Sequence, residues 1–188
     1  MKHVLMISAA ALLLGATGAM AQTMSKDEQI AQAVKAAPEA LRAGATVVNY
    51  DAKGDPVVLR QGNNGIVCTP NQGGDSFSVN CYGQALRAQR DLQAKDKALG
   101  KDAKATGADV ADAMKSGKLQ APPTGTAMYS LSGKTEASAR GMWVILVPGM
   151  TAEATGLPTQ PTANGTPWLM RAGTPAAHIH IPQAPPAG

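Results

Sequence analysis

Apolar and polar positions change their spacing several times along this chain, and each change predicts an element. After Ser25, apolar residues recur at Ile30, Val34, Ala37 and Leu41, the three-to-four spacing of a helix. Ser25-Lys26-Asp27-Glu28 has the form of a capping box, in which the serine and glutamate side chains satisfy each other's backbone amides. Pro38 removes a donor and crowds the preceding turn, so the helix should kink or restart there and end at Ala43-Gly44. The spacing then shortens. Residues 46–50 and 57–59 are β-branched runs flanking the turn-forming residues 51–55, which predicts a hairpin. Residues 66–68 and 77–81 read as two further strands around a loop at 70–75.

From Gly83 to Gly117 the chain is polar and rich in Ala and Lys. Ala85, Ala88, Leu92 and Leu99 form a thin apolar stripe, which predicts a surface helix. Thr106, followed by Asp109, is expected to cap a second short helix, with Val110 and Met114 facing inward. Residues 121–125 break the pattern. Strand-like runs follow at 126–131, 142–147, 168–171 and 177–181, with Pro158, Pro161, Gly165 and Pro167 punctuating the longest connection. The expected fold is α+β: a mainly antiparallel sheet built from residues 46–82 and 126–182, an N-terminal helix on one face, and a helical insert at 84–117 lying outside.

The N-terminus adds a location. Met1-Lys2-His3 is a short basic start, the run from Val4 to Leu14 is apolar, and Ala19-Met20-Ala21 is a cleavage tripeptide. That order is a secretory signal peptide over residues 1–21, which would leave Gln22 first in a protein of the periplasm or the medium. The apolar run is shorter than the roughly 20 residues of a spanning helix, and no transmembrane anchor is expected. Residues 22–182 then form one domain and 183–188 a flexible tail. Two cysteines, Cys68 and Cys81, are expected to pair as a disulfide in an oxidising compartment. Their spacing is not that of a redox Cys-x-x-Cys.

Charge changes the picture little. The formal net charge is +4, and the basic residues Arg87, Arg90, Lys95 and Lys97 are interleaved with Asp91 and Asp96. That reads as a solvated helix face rather than a track for nucleic acid, and with a single Phe the chain lacks stacking platforms for single strands. No nucleic-acid partner is expected.

The chemistry-bearing feature is His178-Ile179-His180. Residues two apart on a strand face the same side, so both imidazoles could reach one zinc or copper ion, with Ile179 and Ile181 packed on the other face. Met128, Met142, Met150 and Met170 lie on or near the same strands and would add soft thioether donors suited to copper. Gly133-Lys134-Thr135 resembles the end of a phosphate loop, but Met128 stands where that loop needs a glycine. No Gly-x-Ser-x-Gly elbow occurs. The stretch from Gly173 to His180 resembles the glycine-then-His-x-His start of cupin metal motifs, without the glutamate that follows in that motif. More of the chain, including residues 58–65, Cys68-Thr69-Pro70, residues 143–148 and 173–178, resembles a group of small exported bacterial proteins. That resemblance implies export and a single domain and assigns no catalytic residue. The leading expectation is therefore an exported, non-enzymatic binding or envelope-associated protein. The alternative is a metal-binding protein or metal-dependent enzyme using His178 and His180.

Overall fold

The computed structural model describes residues 24–183. Residues 1–23, which include the expected signal peptide, and residues 184–188 lie outside that range. The fold is α+β, as expected. Its N-terminal helix α1 (Lys26–Ala33) opens with the capping box: Glu28 N–H donates to Ser25 Oγ, and Ser25 N–H donates to Glu28 Oε2. These bonds hold the Glu28 carboxyl below its ordinary value. A 3-10 turn (Val34–Ala36) continues α1, and Pro38 becomes the N-cap of a short helix α2 (Glu39–Arg42). The proline thus restarts the helix.

Eight strands form one sheet: β1 (Thr46–Tyr50), β2 (Pro56–Arg60), β3 (Ile66–Thr69), β4 (Phe77–Gly83), β5 (Ala127–Gly133), β6 (Arg140–Leu146), β7 (Trp168–Met170) and β8 (His178–Pro182). Their order is β2-β1-β3-β4-β5-β6-β8-β7. Every neighbouring pair is antiparallel except β1 and β3, which run parallel because the chain returns past β1 after the β1–β2 hairpin. Gly62 makes that return possible. A Cβ there would lie 2.2 Å from Gly44 O, so only glycine lets the two backbones cross. Just past β8, Gln183 N–H bonds to Gly141 O.

Alternation along β4 sorts the two faces. Val79 and Cys81 point to one, where Ala33, Ala36 and Ala37 lie against Val47, Cys68 and Phe77. Small alanines let the helix approach closely. Cys68 and Cys81 are register partners on β3 and β4 and form the disulfide. Tyr82 points to the other face, with Val48, Val67 and Leu86. Over that face lies the helix α3 (Arg87–Ala98) of the insert, and its second helix α4 (Ala103–Lys115) packs against α3.

The insert therefore does not lie outside the fold, and of its expected stripe only Leu92 is half-buried. Ala85 and Ala88 are exposed, and Leu99 is 75% exposed. The inward face carries Leu86, Arg90, Gln93 and Ala94 instead, and Arg90 and Gln93 interrupt the hydrophobic period that would have marked it. Asp96 is 3% exposed and accepts from Lys101 Nζ at 2.8 Å; Lys101 also bridges to Asp109 on α4. The second helix begins earlier than expected, because Asp102 caps it through Ala105 N–H; Val110 is buried as anticipated. Among the described residues, no helix is long and apolar enough to cross a membrane.

Candidate functional site

Between α3 and the second sheet face lies a cavity of about 520 Å³. That volume is in the range of small-molecule sites. Tyr50, Asn80 and Tyr82 from the sheet and Arg90, Gln93 and Lys97 from α3 line it. One wall depends on Gly54, in the β1–β2 turn at φ +75°, where a Cβ would sit 2.5 Å from Ala94 O. The hairpin turn and the helix thus meet at a place that admits no side chain.

The polar groups of this wall form a chain. Tyr50 Oη donates to Asp91 Oδ1 at 2.8 Å, and Tyr82 Oη lies 3.5 Å from Tyr50 Oη. Since the Tyr50 proton points to Asp91, Tyr82 is the donor in the second contact. Arg87 Nε donates to both Asp91 oxygens. Burial pushes the Tyr50 phenol well above its ordinary range, helped by Tyr82 and Asp91, and burial also raises Tyr82. Both phenols therefore stay protonated at neutral pH.

Arg90 stands apart from this network. Its guanidinium lies 5.5 Å from the Tyr82 ring centroid, Nη1 donates to Gln93 Oε1 at 3.1 Å, and Nη2 contacts Met128 Sδ at 3.3 Å. Nε is buried and has no hydrogen-bond partner. Neither Arg90 nor Lys97 has a carboxylate at ion-pair distance among the described residues, and Asp91 is paired with Arg87. Burial pulls the Arg90 guanidinium below its usual value, yet an arginine stays charged in a protein. The cavity thus holds a cation short of acceptors. Sequence reasoning placed Arg90 on a solvated face and missed it. The available signal was that Arg87 claims Asp91 at i+4, which leaves Arg90 alone on the face shared with Leu86 and Ala94.

His178 and His180 lie on β8, on one face as expected, with ring centroids 4.8 Å apart. Ile179 packs on the opposite side with Val147, Leu169 and Ala177. Trp168, the β7 register partner of His180, stacks on it at 4.7 Å. His178 Nδ1 is 2.7 Å from Ala176 O. A carbonyl only accepts, so Nδ1 carries the proton and Nε2 keeps its lone pair in the neutral ring. His180 Nε2 is buried without a partner. Burial first, and His178 second, lower the His180 pKa from 6.5. Among the described residues, no group of three or more His, Cys, Asp or Glu that could hold a metal ion occurs. Of the four methionines, Met170 is the register partner of His178, Met128 contacts Arg90, and Met150 packs in the apolar cluster of Val147 and Leu169. Met142 pairs with Pro182. The histidine pair and the cavity share one sheet face, joined by the row Tyr82, Met128, Val144, His180 and Trp168.

Comparison with protein-family models, with curated proteins and with solved structures returns no match to this chain.

Proposed function

We propose that the chain is an exported binding protein that holds a small acidic molecule, bearing a carboxylate or phosphate, between α3 and the sheet. The observation that carries this reading is Arg90, a covered guanidinium with no carboxylate partner on the wall of a cavity. A buried charge left short of hydrogen bonds is costly, and an anionic ligand supplies both the charge and the acceptors. Lys97 adds a second cation at the rim, and the amides of Asn80 and Gln93 add neutral polar groups.

Binding without turnover is the better fit to the lining. Asp91 is engaged by Tyr50 and Arg87, and the Asp51 carboxylate accepts from the turn amides of Lys53 and Asp55. With both phenols held protonated, the cavity offers no free base among these groups. Export is supported by the cleavage pattern at 19–21 and by the disulfide, which belongs to oxidising compartments. N-terminal sequencing of the exported form should begin at Gln22; an intact Met1 would overturn that part.

Titration calorimetry of the untagged protein tests the ligand class. The probes are small mono- and dicarboxylates and phosphate esters beside their neutral amide or alcohol analogues. Acidic members should bind and their neutral analogues should not. Equal binding of both, or no binding by any acidic member, would remove the reading.

A further inference from the structure

The histidine pair carries a separate inference, independent of the cavity. Three potential donors lie on one face at the β7–β8 end of the sheet. His178 and His180 present stacked rings on one face, and Met170 stands directly opposite His178 across the β7–β8 pair. Directly opposed residues of an antiparallel pair share a face, with Cβ atoms about 4.5–5.5 Å apart, within reach of a methionine thioether. Met170 is 41% exposed, so its side chain is free to turn toward the imidazoles.

Two details of the rings match ligation. The bond from His178 Nδ1 to Ala176 O fixes the tautomer and leaves the lone pair on Nε2, the kind of backing hydrogen bond that metal-bound histidines use. His180 Nε2 is covered by its neighbours and satisfied by none of them. The loop joining the two strands is itself pinned, since Gly173 N–H bonds to Met150 O and Gly149 N–H to Thr174 O. The donors therefore sit on a rigid frame.

The donor set selects the ion. Two imidazoles and a thioether are neutral, and no third His, Cys, Asp or Glu joins them among the described residues. Zinc favours four N, S or O ligands, or three plus water. A soft ion of single charge needs fewer donors and no carboxylate, and thioether sulfur favours copper in its lower oxidation state. We propose that His178, His180 and Met170 form a copper(I) site, with the Trp168 ring as one wall.

The test uses untagged mature protein with copper(I) in ascorbate, which keeps the metal reduced and leaves the Cys68–Cys81 bridge closed. A chromophoric copper(I) chelator competes, and the same protein is titrated with zinc(II). The wild type should retain one equivalent of copper(I) against the chelator and should not retain zinc. His178→Ala should lose the ion, and Met170→Leu should hold it more weakly. His180→Ala should also lose it, but that ring is partly buried and the variant is read only if its melting curve matches the wild type. The two more accessible positions keep the test decisive. Failure of the wild type to hold copper(I), or retention unchanged in His178→Ala, would overturn the site. Unchanged retention in Met170→Leu together with tight zinc binding would overturn the assigned donor set and ion.

Discussion

Replacing Arg90 with Met separates a ligand-binding role from a structural one. Methionine keeps an unbranched apolar stem against Tyr82 and removes the charge. In the free protein the change has opposing parts. The bond to Gln93 is lost, worth about 1.5–3 kcal/mol for a charged donor. The contact with the Tyr82 ring is lost, worth about 0.5–2 kcal/mol. Against these stands relief of the unpartnered Nε, about 1–3 kcal/mol or more. The central values leave a net loss of about 1.5 kcal/mol, and at about 2–4 °C per kcal/mol for a chain of this size the melting temperature should fall by about 3–6 °C. The acidic ligand should suffer far more. Truncating one partner of a buried charge pair costs about 2–5 kcal/mol, which at about 1.4 kcal/mol per decade is about thirtyfold to several thousandfold in Kd. Differential scanning fluorimetry and calorimetry on the same preparation read the two effects. A melting temperature that collapses, or an affinity that is unchanged, would refute the reasoning.

Three further outcomes follow from the structure. Converting both Cys68 and Cys81 to Ala should cost about 3 kcal/mol in the chain-entropy account of a loop this short, lowering the melting temperature by about 6–12 °C; a fall under 2 °C would show that the bridge is not a main support. Gly54→Val should both strain a positive φ and drive the β1–β2 turn away from Ala94, so acidic-ligand affinity should drop with the cavity while the disulfide still forms; unchanged affinity would disconnect the turn from the site. The metal-free protein should lose stability as pH falls below about 6.5, because the unfolded His180 binds a proton at its ordinary pKa while the folded ring, lowered by burial and by His178, does not. That contribution is complete only above pH 6.5. Melting curves from pH 5 to 8 with a chelator present should show a shallower slope in His180→Phe, which keeps a ring on Trp168; an identical slope would remove His180 as the cause.

Much of the fold could be read from local pattern because its causes are local. The Ser25–Glu28 capping box, the restart at Pro38, the hairpin turn at 51–55 and the shared face of His178 and His180 each depend on a few adjacent residues. The disulfide was readable from the expected compartment and the cysteine count, and its strand register then followed from the fold. What escaped depends on contacts between distant parts. Nothing in residues 46–69 announces that β1 and β3 run parallel; Gly62 alone marks the crossing, and a glycine beside Asn63 and Asn64 reads as a turn. The insert escaped for a different reason. Periodicity finds apolar faces, whereas the cavity side of α3 carries Arg90, Gln93 and Ala94, and the buried Asp96 is paired with Lys101 in the turn into α4. Ends of strands were also short by residues whose pairing is with remote partners, as in β5 reaching Gly133 opposite Phe77.

The most direct measurement observes the Arg90 guanidinium itself. Nitrogen-edited NMR resolves arginine Nε–H signals, and the Arg90 signal is identified by its absence in Arg90→Met. On adding a small dicarboxylate or phosphate ester that binds, this signal should shift together with the side-chain amides of Gln93 and Asn80, while Trp168 Nε1–H stays in place. A ligand that binds and moves Trp168, or any other region, while leaving the Arg90 signal unmoved would contradict the account.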